Sequence, residues 1–195
     1  MNKSRLEAFS DGVLAIIITI MVLEFKIPHG STIEVLKELL PVFISYVLSF
    51  IFVAIYWGNH HHLIHTAKQV DSKVIWANMG LLFFLSLIPF STGWMGDNNF
   101  DELPVAVYAL NLLLCAIAFY ILQQVIQSDI TQSTKLLEAL KKQEKKGMAT
   151  LAIYLISIPC AFFYPIISAL LFATVSIMWL IPNKEIEKAL RNSES

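Results

Sequence analysis

Apolar residues fall along this chain in runs too long and too uniform for a half-buried surface helix. From Gly12 to Leu23 only Thr19 interrupts the apolar sequence, while the residues just before it, Arg5, Glu7, Ser10 and Asp11 around Phe9, concentrate charge and hydrogen-bonding groups. Comparable runs recur, and six crossings can be drawn at about 7–25, 41–64, 74–95, 103–126, 148–164 and 165–182, each near the roughly 20 residues that span a hydrocarbon core. Lipid offers backbone groups no partners, and the alternation of a barrel strand is absent, so every crossing is expected to be a helix. The predicted fold is an all-α polytopic membrane protein: one six-helix domain over 1–182 and a polar tail over 183–195.

Punctuation residues refine the boundaries. Ser31-Thr32-Ile33-Glu34 reads as a capping box, which predicts a helix starting at Ser31 that Pro41 kinks or restarts. Pro89 is expected to kink the third crossing near its outer end, with Ser91, Thr92 and Gly93 closing it. Asp101, Glu102 and Pro104 suit the first turn of the fourth crossing, inside which Asn111 stands as a lone polar group. Ahead of the fifth, a basic segment carries an apolar stripe of Leu136, Leu137 and Leu140, the pattern of an interfacial helix that Gly147 ends. Phe163-Tyr164-Pro165 makes the last two crossings a tight hairpin, because a residue before proline is pushed out of the helical region.

Composition agrees with a membrane class: 195 residues, 56% hydrophobic, mean hydropathy +0.65. A net charge of −1 gives no reason to expect nucleic acid. The placement of the charges is more informative. Of the 14 Lys and Arg residues, all but Lys26 and Lys37 fall on the side of the two termini, which predicts cytoplasmic termini by the positive-inside rule. The first segment lacks a small-residue cleavage site and is expected to stay in the membrane. Cys115 and Cys160 lie alone in apolar segments and read as small buried hydrophobes.

The first two crossings run in opposite directions, so the mouth of the first, with Arg5, Ser10 and Asp11, shares its depth with the end of the second, Trp57-Gly58-Asn59-His60-His61-His62-Leu63-Ile64-His65. A carboxylate at the hydrocarbon boundary is costly unless paired, so Asp11 is expected to contact Arg5 or a histidine. Trp57 fits an interfacial belt. The histidines admit three roles: hydrogen bonds to the first helix, which is favoured, pH sensing, or metal binding. His61 and His65 share a helix face at i, i+4, but no glutamate or cysteine nearby in sequence completes a ligand set, so no metal is expected. Along the first helix Ile16, Ile20 and Leu23 stack in one line beside Thr19. Spacing alone favours a packing stripe; repeated around an axis, the same line makes a hydrophobic constriction.

Arg5, Phe9, Ser10 and Asp11, spaced ArgxxxPheSerAsp, together with the following GVLAIIITIMVLE and the WGNHHHLIH stretch, resemble the signature of the transmembrane protein 175 family of endosomal and lysosomal potassium channels and their bacterial relatives. The resemblance implies a potassium-selective leak channel without a TVGYG filter, lined by the first helix. Ile16, Ile20 and Leu23 would form its narrowest part, acting as gate and selectivity element, with Thr19 supplying a hydroxyl layer. Because this chain carries one six-crossing repeat, it implies a homotetramer around a four-fold axis, placed in the bacterial inner membrane among lipid. Potassium would be the permeant ion and no cofactor is required. Arg5, Phe9, Ser10 and Asp11, with Trp57, Asn59, His61, His62 and His65, would support the pore helix. Two rival classes remain open: an integral-membrane metalloenzyme using His60 to His65, and a non-conducting scaffold.

Overall fold

A computed structural model describes residues 2–67, 69–128 and 134–180, with backbone alone over 134–140. The described residues form eight helices: α1 (Lys3–Leu23), α2 (Ile33–Glu38), α3 (Leu40–Thr66), α4 (Ser72–Ser86), α5 (Ile88–Asp97), α6 (Glu102–Gln127), α7 (Thr134–Ala161) and α8 (Pro165–Leu180). Among the described residues four stretches are long and apolar enough to cross a membrane: Lys3–Leu23, Leu40–Thr66, Ser72–Asp97 and Glu102–Gln127. The apolar second half of α7 and the 16-residue α8 accompany them. The stripe expected at Leu136, Leu137 and Leu140 and the tail over 183–195 lie outside the described side chains.

Local chemistry starts and stops these helices. The side-chain oxygen of Asn2 accepts from the Ser4 N–H at 3.2 Å and opens α1; Asp71 does the same for α4 through the Val74 N–H at 2.9 Å. The third crossing breaks at Leu87, with Pro89 in the first turn of α5. Proline lacks an N–H and sits there without an orphaned partner. Tyr164 N–H closes onto Cys160 O at 2.8 Å and Pro165 opens α8, the expected hairpin.

Three expected boundaries are corrected. The helix near Ser31 begins at Ile33, with Thr32 as its cap and no side-chain capping bond, and is a single short turn and a half before Pro41 starts α3. Ser91, Thr92 and Gly93 do not end the third crossing: α5 runs through them to Asp97. Their hydroxyls have partners that leave the backbone ladder intact, Ser91 with the Leu87 and Ile88 carbonyls at 3.2 Å and Thr92 with Ser49 at 2.6 Å. Gly147 does not end the basic helix either. α7 continues from Thr134 to Ala161, and nothing lies within 4 Å of where a Gly147 Cβ would sit, so the glycine neither turns the chain nor admits a neighbour.

α6 is the centre of the bundle, packing against α3, α4, α5, α7 and α8. Of its apolar window 56% is buried, against 28% for α1, which places α1 at the margin with most of its surface turned outward. Several polar groups inside the bundle pair across helices. Ser49 joins Thr92 at 2.6 Å and the Tyr108 hydroxyl at 2.8 Å, tying α3, α5 and α6. Asn111 is not alone: it meets Ser91 at 3.2 Å, and the amide orientation that turns its carbonyl to Ser91 also brings its NH2 to 3.1 Å from Phe84 O. Cys115 is buried and Cys160 half-buried, and neither is in a disulfide.

Among the described glycines the tightest surroundings are at Gly96, where an added Cβ would sit 2.8 Å from Val42 Cα and 2.5 Å from Ser45 Oγ. Gly96→Val is therefore expected to force α3 and α5 apart and to cost about 1–3 kcal/mol, read as a lower unfolding temperature of the purified protein in detergent.

Candidate pore helix and its support

α1 has two unlike faces. Leu6, Ser10, Leu14, Ile17 and Met21, spaced by four, four, three and four, are buried against α3, α4 and α5. The opposite face carries Ile16, Thr19, Ile20 and Leu23, with Ile16 59% and Leu23 79% exposed. Exposed isoleucine and leucine at membrane depth face either lipid or another copy. The Thr19 hydroxyl donates to Ile16 O at 2.8 Å, which uses its hydrogen and leaves oxygen lone pairs on the exposed face.

The buried face is anchored at the terminal end by three sets of contacts. First, Asn78 of α4 donates to Ser10 Oγ at 3.0 Å and its carbonyl lies 2.7 Å from His60 Nε2, while Ser10 donates to Leu6 O at 2.8 Å. Asn78 and Ser10 are fully buried and His60 nearly so, so this chain links α1, α4 and α3 without water. Second, the Trp57 indole N–H donates to Asp11 Oδ1 at 2.9 Å. Third, Lys3 Nζ donates to His65 O at 2.6 Å, and Glu7 Oε1 lies 3.3 Å from His65 Nε2. Lys3 thereby satisfies carbonyls that the end of α3 leaves open.

The opposite end of α1 is held more lightly. Phe25 packs edge-on against Phe43 and Tyr46 of α3, and Lys26 pairs with Asp97 at 2.6 Å. The hydrogen bond and charge of Asp97 raise the pKa of Lys26 above its ordinary value; the pair is exposed and contributes little to stability.

The expected partners are therefore partly reassigned. Asp11 pairs with Trp57, not with Arg5 or a histidine, because the indole N–H reaches the carboxylate across the α1–α3 seam. Trp57 is accordingly more than a belt residue. The sequence leaves open which histidine meets this cluster; the one tied to Ser10 is His60, through Asn78. Arg5 and Phe9 are exposed, and no hydrogen bond among the described residues joins Arg5 to Asp11 or to a histidine. Asn59 donates to Ile55 O at 2.8 Å and accepts from Gln143 at 3.1 Å, so it ties α3 to α7. His61, His62 and His65 are exposed at the end of α3, the His61 and His65 rings 4.4 Å apart. In the sequence Asn78 stands only as a polar residue in the apolar third crossing and Glu7 only as part of the charged mouth of α1, and neither is assigned a partner there.

These observations define a polytopic helical membrane protein whose first helix is fixed along one face and bare along the other. The family model described as "Endosomal/lysosomal potassium channel TMEM175" matches residues 5–89, the part that carries α1, α3, α4 and their contacts. The chain is 49% identical over 193 residues to a protein named Potassium channel from Chryseobacterium sp. (strain P1-3), covering 99% of this chain and 100% of that one. It is 36% identical over 100 residues to the "Endosomal/lysosomal proton channel TMEM175" of Homo sapiens, covering 45% of this chain and 19% of that protein. Its structure matches the crystal structure of a lysosomal potassium-selective channel TMEM175 homolog from Chamaesiphon minutus with a TM-score of 0.83 at 25% identity, over 93% of this chain and 97% of that one. The chain belongs to the TMEM175 family.

Proposed function

We propose that this chain is the subunit of a potassium-selective leak channel in which four copies surround a pore lined by α1. The observation that carries the proposal is the bare face of α1: Ile16, Ile20 and Leu23 project from the subunit in line while the opposite face is locked into the bundle. Among the described residues no polar stripe runs through the depth of one subunit, so a pathway is most simply made by repetition around an axis. Four rings of apolar side chains then form a throat that gates by excluding water and selects by partial dehydration, which costs potassium less than sodium. Thr19 offers oxygen atoms within that throat. Relatives named as potassium channels, one of them matching the full chain, support the ion.

The channel is read as six crossings per subunit in the bacterial inner membrane, the last two being the apolar half of α7 and α8. Both termini are cytoplasmic, and lipid surrounds the outer helices. Potassium is the permeant ion, and no cofactor takes part. The enzyme alternative is set aside because the family and these relatives are ion channels. The scaffold alternative makes an opposite prediction. Protein purified and reconstituted in liposomes under opposed potassium and sodium gradients is expected to carry potassium in preference to sodium, with a native mass of four chains. Liposomes that pass neither ion identify a scaffold and overturn the proposal.

A further inference from the structure

We propose that Glu7, His61 and His65 form a binding site for a zinc-class divalent cation, joining the start of α1 to the end of α3. The sequence suggested two of the three ligands and found no third, because the third comes from another helix. In the fold one ligand atom from each residue lies within 4.8 Å of the other two. His61 and His65 stand one turn apart on a common face of α3, their rings 4.4 Å apart and inclined by 67°. Glu7 reaches them from α1, with Oε1 at 3.3 Å from His65 Nε2. Two donors bound at zinc distances in a tetrahedron are separated by roughly 3.3 Å. This pair already stands at that spacing, and rotation about side-chain bonds brings in the third.

The state of the carboxylate is an independent pointer. Glu7 Oε1 is sealed from solvent, and no donor among the described residues is hydrogen-bonded to it; the approach from His65 lacks hydrogen-bond geometry. A buried carboxylate oxygen without a donor is expensive. Lys3, the neighbouring cation, is already committed to the carbonyls of His65 and Ala67. A cation held between Glu7 and the two imidazoles satisfies the oxygen.

The donor set determines the class of ion. Two neutral imidazoles and one carboxylate suit zinc and its neighbours in the first transition row, whereas magnesium and calcium prefer oxygen. Three protein ligands leave one position for water. His61 and His65 are exposed, so the ion exchanges with solution rather than being a permanent part of the fold. When bound, it ties α1 to α3 beyond the Asp11–Trp57 and Ser10–Asn78–His60 contacts.

The test uses the full chain purified without an affinity tag and titrated with zinc alone in detergent. One zinc per chain is expected. Glu7→Gln, His61→Ala and His65→Ala are each expected to weaken binding by more than about tenfold, while His29→Ala, in the connection after α1, leaves it unchanged. Equal affinity in all four variants, or no zinc bound to the wild type, overturns the site. Should a variant fail to fold, X-ray absorption of the zinc-loaded wild type decides: two imidazoles with oxygen donors are expected, and sulfur or three or more imidazoles overturns the assignment.

Discussion

Replacing Ile16 with asparagine is expected to raise potassium conductance about tenfold and to pull the potassium-to-sodium ratio toward unity. In the proposed tetramer the barrier at a ring of four isoleucines would be the cost of bringing an ion past atoms that cannot replace its water. An amide can, so the penalty falls for both ions and falls more for sodium, which holds its water more tightly. Lowering a barrier by about 1.4 kcal/mol speeds passage about tenfold. Ile16 is 59% exposed in the subunit, so the substitution leaves the bundle's own packing alone. Its neighbour makes the contrast. Ile17 is 2% exposed among the core side chains, and Ile17→Asn is expected to prevent folding by burying an amide with no partner. Reversal potentials of reconstituted channels under mixed potassium and sodium supply the measurement. An Ile16→Asn channel with unaltered ion ratios removes this residue from the selectivity element.

The reading of α1 from sequence went far because its information is local. A helix writes its faces into spacings of three and four, so Ile16, Ile20 and Leu23 could be placed on one line before any neighbour was known. The breaks at Pro89 and Pro165 were legible for the same reason: proline acts on its own backbone and on the residue before it. Contacts between helices were not legible. Asn78 announces only that it is polar in an apolar run; that it meets both Ser10 and His60 depends on how α4 leans on α1 and α3. Asp11 was assigned to a positive group because charge is visible in a sequence, while an indole N–H brought near by packing is not. Glu7 was legible as part of the charged mouth of α1 but not as a neighbour of His61 and His65, because i, i+4 spacing displays the groups of one helix at a time. Gly147 misled in the other direction: glycine permits a helix end, but α7 gains more by continuing into its apolar half than by stopping.

Asn78→Leu is expected to destabilise the subunit by about 1–3 kcal/mol without altering the selectivity of the channels that form. Asn78 is fully buried and is the middle of a chain of hydrogen bonds through three helices. Loss of one bond in a membrane bundle costs only about 0.6 kcal/mol on average, because polar groups there often find another partner. That escape is unequal for the two neighbours. Ser10 keeps its bond to Leu6 O at 2.8 Å, while His60, only 2% exposed, is left with a buried nitrogen and no route to water. The stranded imidazole is the larger cost, and it makes the effect separable. His60→Leu added to Asn78→Leu removes the stranded group and is expected to recover part of the lost stability, since replacing both partners by apolar groups of similar shape is close to neutral. Unfolding temperatures of the single and double variants in detergent measure this directly. Ile16, Thr19, Ile20 and Leu23 lie on the other side of α1 from Ser10, so the ion ratio of surviving channels is expected to match the wild type. A double variant less stable than Asn78→Leu alone places the cost elsewhere than in the imidazole, and removes the reason for counting His60 among the groups that hold α1.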